Sequence, residues 1–263
     1  MSNALLIIDA QNDFAHPNGT LYVPGAKEDC ERLENFINQN VSKINSIHLT
    51  LDSHPLYHIA HPYFWIDSSG THPEPYTIIT YQDFSRGLFK PVDSSLMSKV
   101  DEYLLTLENR GRYNLCIWPP HCLLGTWGYC IEDGIWNACH KWELNSKTNR
   151  ITYIKKAINP LTEHYSAIQA EVPDPNDMET RTNFALIDNL KEFEHIIIAG
   201  EALSHCVANT IRDLSIYVPP HRMIILTDCT SSVTGFEEIG ENFLNEFKAK
   251  GGQCVDSKTL ILD

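Results

Sequence analysis

Short, almost unbroken apolar runs recur along the chain at 4–8, 47–51, 114–118, 151–154, 195–199 and 223–226, each closed by polar residues. They are rich in Ile, Leu and Val and show little alternation, the pattern of strands buried on both faces of a parallel sheet. Helical periods lie between them at 27–40, 96–107, 127–142, 202–214 and 237–249. Parallel strands need long crossover connections, so this alternation predicts an α/β fold. The expected architecture is a doubly wound, mostly parallel six-stranded sheet with helices on both faces. A further short strand is expected at 260–262. Pro, Gly, Ser and aromatic residues without a sustained period fill 61–92, so a loop excursion or insertion is expected at about 61–113 of a single domain, 1–263.

The length of 263 residues and the hydrophobic share of 43% suffice for one large core. A formal charge of -14 repels phosphate backbones and anionic membrane surfaces, so neither nucleic acid nor membrane is an expected partner. The apolar run at 4–8 is too short for a signal segment and lacks a basic lead, and no stretch approaches a membrane span. Eight scattered cysteines in a chain of this size read as reduced thiols, which points to a cytoplasmic location. Cys116, inside an apolar run, reads as a small buried hydrophobe.

Chemistry in such sheets collects outside the carboxyl ends of the strands. Successive strand ends carry Asp9, then Asp52 and His54, then His121, then Lys156, and finally Cys206 after a Gly-containing turn. A thiol that opens a helix is expected to have a lowered pKa, and the turn's N–H groups can form an oxyanion hole. Taken alone, Cys206 reads better as a buried helical cysteine; Asp9 and Lys156 reverse that and make the nucleophile the stronger reading. Asp9 is a turn or cap residue, or the general base for that thiol. Strand alternation turns only one of Lys155 and Lys156 inward. Asp52-x-His54 with His121 offers one carboxylate and two imidazoles to a metal, or a plain Asp–His hydrogen bond. His58 and His61 read as loop or pocket-wall residues.

The segments ALLIIDAQNDF at 4–14, DSHP at 52–55, WPPHCLLGTWG at 118–128 and GEALSHCVANT at 200–210 together resemble the isochorismatase-like cysteine hydrolases, and among them the nicotinamidases (pyrazinamidases). The resemblance runs from residue 4 to about 230, excepting 61–113. It implies a Rossmann-type three-layer fold and a catalytic set of Asp9, Lys156 and Cys206. Lys156 stands ten residues before Ser166 of a Tyr165-Ser166-Ala167 motif, in register with the family. It implies a divalent metal, zinc with manganese or iron as alternatives, on Asp52, His54 and His121. There the ion positions the ring through the pyridine nitrogen or an ordered water. Phe14 and Trp118 fall on ring-pocket positions. A cis peptide is implied between Glu201 and Ala202, with the N–H groups of Ala202 and Cys206 as the oxyanion hole.

The implied reaction converts nicotinamide to nicotinate and ammonia through a thioester, a step of nicotinamide-cofactor salvage, in a homo-oligomer. Alternatives are a related cysteine hydrolase of another small amide, a silent ligand-binding protein on the same scaffold, or hydrolysis by metal-bound water. The chain departs from the family pattern at Ala157 (usually Gly), Glu201 (usually apolar) and Ser204 (usually Asp), and its 61–113 segment is long and aromatic.

Overall fold

The computed structural model describes residues 2–262. Six strands form the central sheet: β1 (Asn3–Ile8), β2 (Ser46–Asp52), β3 (Ile151–Lys156), β4 (His195–Gly200), β5 (Met223–Leu226) and β6 (Gln253–Val255). All neighbours are parallel, in the order β6-β5-β4-β1-β2-β3. The chain winds outward from β1 to β3, returns to β4, and winds outward the other way. The order therefore reverses between β1 and β4, where a doubly wound sheet opens its crevice.

Alternation along β1 explains the two cores. Ala4, Leu6 and Ile8 join Ile196 and Ile198 on one face; Leu5 and Ile7 join Leu49 and Ile197 on the other. Helices α1 (Ala26–Gln39) and α3 (Asp133–Asn145) cover the second face through Leu33, Ile37, Ile135 and Trp142. Helices α2 (Met97–Arg110), α4 (Phe184–Lys191), α5 (Ala208–Leu214) and α6 (Glu237–Ala249) cover the first through Leu104, Leu190, Ile211 and Phe243. Each Leu or Ile enclosed on β1 contributes roughly 1.5–3 kcal/mol, enough to fix that strand at the centre. At Gly200 (φ +109°) an added Cβ would stand 2.0 Å from the Ile8 carbonyl, so only glycine lets β4 close on the end of β1.

Four expectations change. Residues 114–118 are not a strand of the central sheet: only Leu115–Cys116 pairs, antiparallel to Ile78–Ile79. The run is buried as expected, but Pro119 and Pro120 lack N–H donors and stop the ladder. The sixth strand is β6, and 260–262 forms no strand. The helix expected over 127–142 starts only at Asp133, where Glu132 caps the Ile135 N–H. Upstream, the Cys130 and Gly128 carbonyls are held by the N–H groups of Asn12 and Asp13. The helix expected over 202–214 is a π-turn, Leu203–Val207, running into α5.

Helix α4 was not expected: eight residues carry too little period, although Asn183 caps its first turn through the Leu186 N–H. The 61–113 region is not irregular throughout. It pairs Trp65–Asp67 with Phe89–Pro91, contributes α2, and sends Phe64, Trp65, Ile79 and Phe84 into the core. Among the described residues no helix is long and apolar enough to cross a membrane. All eight cysteines are unpaired.

Candidate active site and metal centre

β1 ends at Ile8, β2 at Asp52, β3 at Lys156 and β4 at Gly200, so the side chains just beyond or at these ends meet on one rim. Lys156 is the inward lysine, 2% exposed. Its Nζ lies 2.9 Å from Asp9 Oδ2, 2.9 Å from Asp52 Oδ1 and 3.5 Å from Cys206 Sγ. One ammonium thus neutralises two buried carboxylates and touches the sulfur. Asp9 Oδ1 also accepts the Thr50 hydroxyl at 2.5 Å, and the Asp9 N–H donates back to that oxygen. Asp9 and Ala157 hold left-handed backbones (φ 43° and 62°) beside the cluster. For Ala157 this accounts for glycine being the usual residue there.

Burial pushes the Asp9 carboxyl up, with Lys156 pulling against it. Burial also pushes the Cys206 thiol well up; Lys156 lowers it, while Asp9 and Asp52 raise it. This corrects the expectation of a thiol acidified by a helix N-terminus. Cys206 lies within the π-turn, beside the Asp9 and Asp52 carboxyls that raise its thiol, with the Lys156 ammonium 3.5 Å from its sulfur.

Asp52 joins this cluster to a second one. Its Oδ2 lies 3.5 Å from His121 Nε2 and 3.8 Å from His54 Nδ1. Burial opposes its charge, yet Lys156, His54 and His121 hold the carboxyl well below the usual range. Both nitrogens of the enclosed His54 ring lack hydrogen-bond partners. Ligand atoms of Asp52, His54 and His121 all lie within 4.8 Å of one another. Orphaned buried donors at that spacing fit a divalent metal ion.

Several residues that complete the site escape sequence reasoning. Glu163 Oε1 lies 3.8 Å from His54 Nε2. Burial raises the Glu163 carboxyl, but the neighbouring His54 and His58 rings bring it down to about 2. An imidazole held between Asp52 and Glu163 is the usual arrangement of an oriented metal ligand. Gln11 clamps the Asp52 backbone, accepting its N–H at 2.7 Å and donating to its carbonyl at 2.9 Å. Asp13 accepts the Cys122 N–H at 2.6 Å and so positions the His121 loop. Gly128 is required beside it, since an added Cβ would stand 2.1 Å from the Asp13 carboxylate. Gln11 and Asp13 lie inside the QND motif, and Glu163 stands two residues before Tyr165, so proximity to motifs was the available signal.

Phe14 packs edge-on to His121 at 5.3 Å. Trp118 donates from Nε1 to the Tyr165 hydroxyl at 3.0 Å and meets His205 edge-on at 5.2 Å. Burial takes His205 down to about 4. This leaves a neutral ring between Trp118, Tyr165 and Phe236. The peptide bond between Glu201 and Ala202 is cis. The N–H groups of Leu203 and His205 are taken by the Ser231 and Ala202 carbonyls. A cavity of about 600 Å³ beside the exposed edge of β3, lined by Tyr153, Lys155, Arg181 and Phe184, is separate from this rim.

Glu201 turns away from the rim. Its carboxyl accepts the Ser231 N–H at 3.2 Å and faces Asp29 of α1, which Arg32 holds at 2.6 Å. Burial, with Asp29 adding to it, raises the Glu201 carboxyl well above 4.5. The folded-state value thus exceeds the unfolded one. The resulting stabilisation is complete below 4.5 and drains as pH rises through the folded value. Glu201→Gln keeps a donor toward Asp29 without the charge. It is expected to flatten the fall in denaturation midpoint from acid to alkaline pH; an unchanged slope counts against a protonated Glu201.

No protein-family profile matches the chain. The chain is similar to the nicotinamidase of Saccharomyces cerevisiae, at 26% identity over 257 residues, 96% of this chain and 98% of that protein. Among solved structures it is similar to the yeast nicotinamidase Pnc1p bound to the inhibitor nicotinaldehyde, with a TM-score of 0.68 and 22% identity, covering 97% of this chain and 99% of that one. It is also similar to the pyrazinamidase of Pyrococcus horikoshii in complex with zinc, with a TM-score of 0.57 and 21% identity, covering 97% and 99%. These structural likenesses establish the three-layer α/β fold.

Proposed function

Because the chain belongs to the nicotinamidase family on the isochorismatase-like fold, we propose that it hydrolyses nicotinamide to nicotinate and ammonia, with Cys206 as nucleophile. The observation that carries this reading is the contact of one buried lysine with Asp9 and Cys206, at 2.9 and 3.5 Å. Asp9 takes the Cys206 proton, and a base whose affinity for protons is raised by burial does so more readily. Lys156 stays charged and offsets the negative charge that passes to sulfur. The thiolate attacks the carboxamide carbon, and the N–H groups of Ala202 and Cys206 receive the developing oxyanion. Asp9 returns the proton to the departing ammonia, leaving a thioester. Asp9 then deprotonates a water, whose attack releases the acid and restores the thiol.

Asp52, His54 and His121 would hold the divalent ion, with Glu163 orienting His54; the mixed N/O donor set suits zinc, manganese or iron. When bound, that ion supplies an anchor for a ring nitrogen or its water, an orienting role. Phe14 and Trp118 supply flat apolar walls for an aromatic ring.

Purified protein is expected to release ammonia and nicotinate from nicotinamide in equal amounts, followed by mass spectrometry. Turnover of other small amides but not nicotinamide would refute the substrate and keep the chemistry. No turnover across an amide panel would support a silent binding protein instead.

A further inference from the structure

Resting on the hydrolase reading above, we propose that Glu201 is a positioning residue for the reaction: together with Ser231 it fixes the Ala202 N–H that receives the oxyanion. On either side of that group the backbone is committed. The N–H groups of Gly200, Glu201 and Leu203 donate to the Cys229, Ile8 and Ser231 carbonyls at 2.9, 2.7 and 2.8 Å. Among the described residues the Ala202 N–H between them has no such partner, which leaves it for the substrate. Ser231 supplies the bracket. Its carbonyl accepts from Leu203, its N–H donates to Glu201 Oε2 at 3.2 Å, and its hydroxyl donates to Asp29 Oδ2 at 2.5 Å. One residue thus grips the chain just before and just after Ala202 and is itself tied to α1. The space around it is closed, since a Cβ on Gly25 would stand 2.7 Å from the Ser231 hydroxyl.

The side chain that joins this bracket has no cation of its own. Glu201 is fully enclosed, and its Oε1 lacks a hydrogen-bond partner. Arg32 is committed to Asp29 at 2.6 Å and to the Asp228 carbonyl. Asp29 accepts through both oxygens, from Arg32 and from Ser231, so it is the charged member of the pair. A second enclosed anion beside it would be uncompensated, and Glu201 therefore keeps its proton, in line with the upward push of burial and of Asp29 on its carboxyl. What the Ser231 N–H needs from Glu201 is then an acceptor, which a neutral carboxyl and an amide both offer. The apolar residue usual at this position in the family offers none. In this chain it would leave that N–H unpaired and set hydrocarbon against the Asp29–Arg32 pair. Glu201, Asp29 and Ser231 together form a polar anchor in place of an apolar one.

The test compares kcat and KM for ammonia release from nicotinamide in the full chain as wild type, Glu201→Leu and Glu201→Gln, each preparation supplied with Zn²⁺. The oxyanion contact is made in the transition state, so Glu201→Leu is expected to lower kcat by roughly tenfold to a hundredfold while KM changes by less than about threefold. Glu201→Gln presents the same acceptor and is expected to recover the rate to within about threefold of wild type. Circular dichroism and unfolding midpoints give the folded fraction of each variant. A wild-type kcat per folded molecule in Glu201→Leu overturns the proposal, and so does a rise in KM alone. Glu201→Gln as slow as Glu201→Leu also overturns it, because the shared acceptor would then not be what matters. Glu201→Met takes the place of Glu201→Leu if the latter does not fold. Wild type that releases no ammonia from nicotinamide or any other small amide defeats the hydrolase reading and this proposal with it. Turnover by wild type that Glu201→Leu matches defeats this proposal alone.

Discussion

Cys206→Ala is expected to lower amide hydrolysis by roughly 10⁴-fold or more, with fold and metal content unchanged. The substitution removes one sulfur from a residue that is 5% exposed. It leaves the Lys156 contacts to Asp9 and Asp52 in place, both at 2.9 Å. The loss is then chemical rather than structural. Steady-state ammonia release and metal content, measured on the same preparation, check both halves of the statement. Full activity in Cys206→Ala, abolished by a chelator, would make a metal-bound water the nucleophile. The thiol's raised pKa adds a second reading of the same residue. Alkylation of Cys206 near neutral pH is expected to be slow and to slow further in Asp9→Asn, because no thiolate is stored and Asp9 must take the proton first.

Much of this site was legible because a parallel sheet gathers its strand ends, and Asp9, Asp52, Lys156 and Cys206 each sit at or just past one. The rest depends on register and on loops. Thr50 reads as an ordinary strand residue. It reaches Asp9 because β1 and β2 pair with Ile7 opposite Leu49, a register that no single run announces. Glu163 lies in a polar stretch without period, and its partner His54 belongs to a distant loop. His121 was placed at the end of a sheet strand. It is instead delivered by a proline-stopped loop that Asp13 holds, and that loop bridges to the chain next to His54. Glu201, a departure from the family pattern in the sequence, faces Asp29 on the helical side; only the fold assigns its direction.

Lys156→Met is expected to lower stability by about 3–5 kcal/mol and to remove catalysis together. Methionine matches the length of lysine but leaves Asp9 and Asp52 as buried carboxylates facing the empty place of their shared cation. Asp9, already raised by burial, then stays protonated and cannot serve as the base, so activity falls although Asp9 and Cys206 are untouched. Adding Asp9→Asn to Lys156→Met is expected to recover part of the stability and none of the activity, a non-additivity that urea unfolding of the single and double variants measures. The pH dependence has a definite sign. Burial opposes the Lys156 charge, but Asp52, Asp9 and Cys206 raise its pKa well above 10.5. Its stabilisation is therefore complete below 10.5 and lost only as pH rises through the folded value. The gap between wild type and Lys156→Met should persist through neutral pH and close in strong alkali. A gap that closed near neutrality would mean that Lys156 is neutral in the resting site; Asp52 would then owe its depressed pKa to the imidazoles alone, and the lysine could not offset the charge passing to sulfur.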